Sequence, residues 1–154
     1  MDAIETKKVP TQRVAAIQHT GAHAEIGSVY HDLYEWLGGR NVQPAGQPFT
    51  TFLSPPTEFD PASGIFEVCM PVGPDVEGEG RVKVKTVPSC TVAFGVVKGP
   101  YDQIPAHYTE MLAWLSAEGM EVSGPPREVY IKRPGPDGSG DPNEFVTEIQ
   151  FPIG

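Results

Sequence analysis

The fold is decided by residues 9–53, VPTQRVAAIQHTGAHAEIGSVYHDLYEWLGGRNVQPAGQPFTTFL, because residues 87–131 repeat them as VPSCTVAFGVVKGPYDQIPAHYTEMLAWLSAEGMEVSGPPREVYI. The two stretches align without a gap, and identical residues coincide along their whole length: Val9/Val87, Pro10/Pro88, Val14/Val92, Ala15/Ala93, Gly21/Gly99, Ile26/Ile104, Tyr30/Tyr108, Trp36/Trp114, Leu37/Leu115, Gly46/Gly124 and Pro48/Pro126. A slightly larger offset places residues 66–72 on residues 147–153, so the repeats extend over about 8–72 and 86–153. A duplication of this kind predicts two similar units about a pseudo-twofold axis, with a ligand groove between them.

Both repeats carry the same order of predicted elements. A strand-like stretch ends at Gly21 or Gly99, an amphipathic helix follows over residues 26–37 or 104–115, and two more strand-like stretches complete the repeat. The pattern predicts an antiparallel α+β fold, strand-helix-strand-strand twice, in one domain over residues 1–154. Residues 73–80, acidic and rich in proline and glycine, are the predicted connector, and the residues before Val9 are expected to form only a short tail.

Composition and charge exclude several classes of protein. The chain of 154 residues has a net charge of −9, which repels phosphate backbones and argues against direct nucleic-acid binding. No apolar run approaches the roughly 20 residues that span a bilayer. The N-terminal MDAIETKK lacks the apolar segment of a signal peptide, so we expect a cytoplasmic protein without membrane contact. Cys69 and Cys90 match no metal-binding or redox motif and are expected to be buried free thiols.

No metal or cofactor is predicted. His19 and His23 are four residues apart, but Gly21 between them argues against a shared helix face, and His31 and His107 have no partner at helical spacing. No Ser-His-Asp or Cys-His arrangement is visible from the spacing.

Corresponding positions at which the two repeats carry different residue types indicate where a site would lie. Glu128 falls where the first repeat has Thr50. Alternation along a strand places Glu128, Tyr130 and Lys132 on one face, and it also places Glu148 and Gln150 on a common face. If the two strands pair, Glu128 and Glu148 lie near each other. Two such carboxylates beside aromatic rings suit a lipophilic cation, or general acid–base chemistry, and the structural alternative is that they are exposed or pair with Arg127, Lys132 or Arg133.

Aromatic side chains supply the candidate walls of the site. Tyr30 and Tyr108 lie on the helix stripes and are expected in the core. Trp36 and Trp114 occupy equivalent helix ends, where they either pack between the halves or line a pocket. The remaining candidates for lining the groove are Tyr34, Phe52, Phe66, Tyr101 and Tyr130.

The order of several short motifs resembles the GyrI-like family, the effector-binding domains also found in AraC-type and MerR-type regulators. The motifs are His19-Thr20-Gly21, Leu33-Tyr34-Glu35-Trp36-Leu37, Lys98-Gly99-Pro100-Tyr101, Gly124-Pro125-Pro126-Arg127-Glu128-Val129-Tyr130 and Phe145-Val146-Thr147-Glu148-Ile149-Gln150-Phe151-Pro152. The resemblance implies tandem SHS2-like halves with a pocket at their interface that takes bulky, hydrophobic, often cationic compounds. It also implies that Glu128 lies deep in that pocket, with Tyr130 and Glu148 at neighbouring motif positions.

Three functions follow from the resemblance. The first, which we favour, is a stand-alone module of the multidrug-binding type that sequesters or senses lipophilic cations, alone or with a separate protein partner. Its predicted ligand-binding residues are Glu128, Tyr130, Glu148, Tyr34, Phe52, Phe66, Tyr101 and Trp114. The second is a hydrolase of strained, cyclopropane-bearing toxins that uses Glu128 and Tyr130. The third is an interaction module similar to a DNA gyrase inhibitor. The sequence does not fix the natural ligand or the oligomeric state.

Overall fold

The computed structural model describes residues 3–22, 25–53, 64–100, 103–133 and 140–154. Its elements in chain order are β1 (Glu5–Val9), β2 (Gln12–Gly21), α1 (Ile26–Gly38), β3 (Phe49–Phe52), β4 (Gly64–Pro71), β5 (Val82–Val87), β6 (Cys90–Lys98), α2 (Ile104–Ala117), β7 (Arg127–Lys132), a 3-10 turn (Pro142–Glu144) and β8 (Val146–Ile153). The chain divides into two compact units: a continuous unit of residues 11–88, and a split unit of residues 1–10 and 89–154. The two helices and the antiparallel strands agree with the predicted α+β fold class.

The continuous unit is a four-stranded antiparallel sheet with α1 against one face. Its strands lie in the order β5-β2-β4-β3. Every third or fourth residue of α1 is apolar, and Val29, Leu33 and Leu37 are buried against this face. They meet the alternate residues of β2 and β4 in one core, which includes Ile17 and Phe66.

The split unit repeats this arrangement with its own helix. Its strands lie in the order β1-β6-β8-β7, again all antiparallel. Helix α2 buries Ile104, Met111 and Leu115. These residues pack with Ile149 and Phe151 of β8 in a second core.

Strand β1 corrects the expectation that the residues before Val9 form only a tail. Glu5–Val9 pairs along its whole length with β6, from Glu5 opposite Phe94 to Val9 opposite Cys90. Four of its five residues are exposed, as is usual for a charged strand at the edge of a sheet, and its partner lies more than 80 residues away in the chain. Neither feature produces the buried alternating pattern from which a strand is predicted.

The turn before α2 requires a glycine. Gly99 has φ of 126°, in the region that side chains with a Cβ rarely adopt, and its N–H donates to the carbonyl of Phe145 at 2.8 Å. This bond ties the end of β6 to the start of β8 in the split unit.

The prediction for the two cysteines has a mixed outcome. Both cysteines are free thiols, but only Cys69 is buried, and Cys90 is half-buried. Within the described ranges, no helix is long and apolar enough to cross a membrane.

Candidate functional site

The candidate site lies on the face of the split unit's sheet that meets α2. Residues opposite each other in an antiparallel sheet point to the same face, so they form rows across the strands. One row consists of Gly95, Ile149 and Glu128, and the next of Val97, Thr147 and Tyr130. Because Ile149 belongs to the core beneath α2, both rows face the helix.

Glu128 is a buried carboxylate with one hydrogen bond. Its residue is 8% exposed. The hydroxyl of Tyr108, on α2, donates to Glu128 Oε2 at 2.7 Å. Among the described residues no lysine, arginine or histidine forms an ion pair with Glu128. A buried carboxylate without a cationic partner lowers the stability of the folded protein. Such a group is typical of functional sites.

Burial changes the ionisation of both members of this pair. Loss of water around Glu128 raises the pKa of its carboxyl to about 7, although the hydrogen bond from Tyr108 opposes this rise. Burial, together with the nearby Glu128 carboxylate, raises the pKa of Tyr108 well above its ordinary value. Tyr108 therefore remains a hydrogen-bond donor, while the charge of Glu128 changes near neutral pH.

Aromatic side chains occupy the Glu128 face of the sheet and the helix packed against it. The ring of Tyr108 meets that of Phe151 edge-on at 5.6 Å between centroids. Tyr130 is 7% exposed and lies two residues from Glu128 on the same face of β7. Trp114, one of the predicted lining residues, is half-buried on α2 against the same core.

Glu148 lies on the opposite face of the sheet from Glu128. In the register of β7 and β8, Glu148 is opposite Val129, whereas Glu128 is opposite Ile149. Lys7 of β1 donates to the Glu148 carboxylate, with Nζ 2.8 Å from Oε2, and the Gln150 amide donates to Oε2 at 2.6 Å. The two carboxylates are therefore separated by the sheet, and Glu148 already has a cation.

Lys132 also leaves the face predicted for it. The register shifts between Tyr130 and Lys132, and Lys132 stands opposite Val146, on the same face as Glu148. A bulge adds one residue to a strand and reverses the alternation beyond it. The simple alternation used to place Lys132 beside Glu128 stops at this bulge.

The other predicted aromatic residues do not belong to the split unit's described site. Phe52 and Phe66 are buried in the core of the continuous unit, and Tyr34 is 37% exposed on α1. Tyr101 lies outside the described residues. That these four residues line one site with Glu128 stays a prediction.

The sequence does not predict two residues of the site. Tyr108 lies on the apolar stripe of α2, which predicts a place in the core and gives no sign that its hydroxyl contacts a carboxylate. Thr147, fully buried opposite Tyr130, was not singled out, because threonine is common in strands. The sequence offers one signal: the two repeats share a tyrosine at Tyr30 and Tyr108 but differ at Thr50 and Glu128.

The arrangement can hold a positive charge or exchange a proton. An ionised Glu128 in a low-dielectric, aromatic setting attracts a cation more strongly than it would in water. A carboxyl with a pKa of about 7 can also accept or donate a proton at neutral pH. The described residues contain no group of histidine, cysteine, aspartate and glutamate side chains that could hold a metal ion.

A family model of the GyrI-like small molecule binding domain matches residues 2–154. The chain belongs to the GyrI-like family. The GyrI-like domain thus accounts for nearly the whole sequence, as the motif order around Glu128 predicts. A search of curated protein sequences finds no match to this GyrI-like chain.

Solved structures share the GyrI-like fold. The C-terminal domain of EcmrR matches with a TM-score of 0.82 and 24% identity, over 99% of this chain and 97% of that one. EcmrR in complex with DNA matches with a TM-score of 0.88 and 22% identity over 98% of this chain, which spans 57% of the length of that EcmrR chain. SAV2435 bound to tetraphenylphosphonium matches with a TM-score of 0.64 and 14% identity, over 99% of this chain and 94% of that one.

Proposed function

We propose that this GyrI-like chain binds bulky hydrophobic cations and that the Glu128 carboxylate supplies the counter-charge. The observation that carries the proposal is the burial of Glu128 without a cationic partner in the described part of the chain. A lipophilic cation would bring the missing charge without the hydration cost of a small ion, and the rings of Tyr108, Tyr130 and Phe151 would contact its apolar surface.

Two further facts support a cationic ligand. The net charge of −9 attracts cations to the protein at a distance. SAV2435, which shares the fold, is bound to tetraphenylphosphonium, a lipophilic cation. Rings accept flat or globular apolar groups without strict directionality, so we infer a broad, multidrug type of selectivity rather than one tightly fixed ligand.

The test is calorimetric titration with tetraphenylphosphonium at pH 8, where Glu128 is ionised. Removing a buried charge opposite a bound cation typically costs about thirtyfold or more in affinity, which is the loss we expect for Glu128→Gln. Glu148→Gln is the matched control, since it makes the same change at a buried glutamate on the opposite face of the same sheet. Equal affinities for wild type and Glu128→Gln would reject the proposal.

A hydrolase is the second candidate, and the pKa of Glu128 favours it. A carboxyl that titrates at about 7 suits a general base that takes a proton from water during attack on a strained, cyclopropane-bearing compound. Tyr130 or Tyr108 would donate a hydrogen bond to the charge that develops. To decide between the candidates, such a compound is incubated with wild type and with Glu128→Gln and then analysed by mass spectrometry. A water adduct formed only by wild type indicates the hydrolase. Unchanged compound indicates binding alone.

A further inference from the structure

Thr147 carries a buried hydroxyl that has no hydrogen bond within the described part of the chain. The residue is 0% exposed, and its Oγ1 has no hydrogen-bond partner among the described residues. Buried side-chain polar atoms are bonded in the large majority of cases. The described residues leave this hydroxyl unbonded, and a bound molecule would supply the missing partner.

The hydroxyl lies on the same face as the Glu128 carboxylate. Thr147 stands opposite Tyr130, one row from Glu128, which stands opposite Ile149. Such diagonal neighbours on adjacent strands are about 7–8 Å apart, within the span of one ring system. The hydroxyl of Tyr108 donates to Glu128 Oε2, and no protein hydrogen bond to Oε1 is present among the described residues.

The equivalent rows of the continuous unit differ from these rows at individual positions. Ile17, Val68 and Thr50 form one row, and His19, Phe66 and Phe52 form the next. Phe66, fully buried in that core, stands where the split unit has Thr147, and Ile17 stands where it has Gly95. The split unit therefore has smaller side chains at these two positions beside Ile149, although Glu128 and Tyr130 are larger than their counterparts Thr50 and Phe52.

We propose that Thr147 contacts the ligand of the Glu128 site and selects lipophilic cations that carry an N–H group. This inference rests on the proposed function. The N–H of the ligand donates to Thr147 Oγ1, while the delocalised positive charge of the ligand faces Glu128. A cation without N–H groups still binds, but it leaves the threonine hydroxyl unpaired.

A comparison of two cations distinguishes a hydrogen bond to Thr147 from binding at the Glu128 site without that bond. Ethidium is a flat delocalised cation with two amino groups, whereas tetraphenylphosphonium has no hydrogen on a heteroatom. Thr147→Val replaces the hydroxyl by a methyl group of similar size. A lost neutral hydrogen bond corresponds to about fivefold in affinity, so we expect Thr147→Val to weaken ethidium binding by about that factor and to leave tetraphenylphosphonium binding unchanged.

Three controls make the test decisive. Thr147→Ser keeps the hydroxyl and should retain ethidium affinity, which a purely packing role would not predict. Thr51→Val makes the same change on the sheet face of the continuous unit that carries Glu67, and should alter neither affinity. Thermal melting verifies that each variant folds, and Thr147→Ala replaces the valine variant in the same two titrations if valine prevents folding.

The outcomes of the inference and of the proposed function are distinguishable. Equal effects of Thr147→Val on both cations, or no effect on either, overturn the role of Thr147, and the proposed function stands if Glu128→Gln still weakens both cations. Glu128→Gln without effect on either cation overturns the proposed function, whatever Thr147→Val does. Wild type that binds neither cation overturns both.

Discussion

The hydroxyl of Tyr108 donates to Glu128 Oε2 across 2.7 Å, from helix α2 to strand β7. The bond stabilises the ionised carboxylate against the burial that disfavours it, so Tyr108 adjusts the pH at which Glu128 acquires its charge. We expect Tyr108→Phe to raise the pKa of Glu128 further, because the variant loses a hydrogen bond that favours the ionised form. Affinity for tetraphenylphosphonium at pH 7 should then fall about fivefold and should recover at pH 9, where the carboxyl ionises in both proteins. A loss that persists unchanged at pH 9 would instead mean that the Tyr108 hydroxyl contacts the cation directly.

Stability should decrease as pH rises toward 7 because of Glu128. Its pKa is raised in the folded protein, so the folded state holds a proton that the unfolded state loses between pH 4.5 and 7. The carboxyl thus lowers the free energy of unfolding by up to about 3 kcal/mol above pH 7. We expect Glu128→Gln to be more stable than wild type at pH 8, with little difference at pH 4.5. Urea unfolding at the two pH values measures this, and a Glu128→Gln protein less stable than wild type at pH 8 would contradict it.

The ion pair between Lys7 on β1 and Glu148 on β8 stabilises the edge strand β1 in the sheet. Lys7 also lies over the ring of Phe94, with Nζ 4.3 Å from the ring centroid. Lys7→Met keeps the apolar stem but removes the charge, which leaves Glu148 buried with only Gln150. We expect a loss of about 1–2 kcal/mol in the free energy of unfolding and faster amide exchange in Glu5–Val9, since Lys7 is half-exposed and water compensates part of the cost.

The corresponding pair in the continuous unit is Lys85 on β5 and Glu67 on β4. Lys85→Met should accelerate amide exchange in Val82–Val87 in the same way, without affecting Glu5–Val9. Unchanged exchange in both edge strands would show that backbone pairing alone holds them.

The sequence predicts the helices and the candidate carboxylate, because the apolar pattern within each repeat can be compared with that of the other repeat. The helix stripes predicted α1 and α2, because each helix buries apolar residues on one side only. Glu128 is predicted as a site residue because one repeat has a carboxylate where the other has a threonine. The charged strand β1 was missed, since its pairing with β6 comes from residues distant in the chain.

The side-chain neighbours of the site were harder to predict than its central residue. Whether Glu148 lies with Glu128 depends on the register of β7 against β8, and a shift of one residue exchanges the two faces. The long connection between these strands does not fix that register from sequence. Lys132 changed face because of a bulge, and the hydroxyl of Tyr108 was hidden within an apolar stripe.

The most direct test of the central claim is the number of protons released when tetraphenylphosphonium binds. Calorimetry in two buffers with different ionisation enthalpies gives this number at pH 6 and at pH 8. A cation that requires ionised Glu128 should release about 0.9 proton at pH 6 and about 0.1 at pH 8, with about tenfold weaker affinity at pH 6, because the pKa of the free carboxyl is about 7. Glu128→Gln should release none at either pH. Tight binding by wild type with no proton release at pH 6 would contradict the claim that Glu128 is the counter-charge.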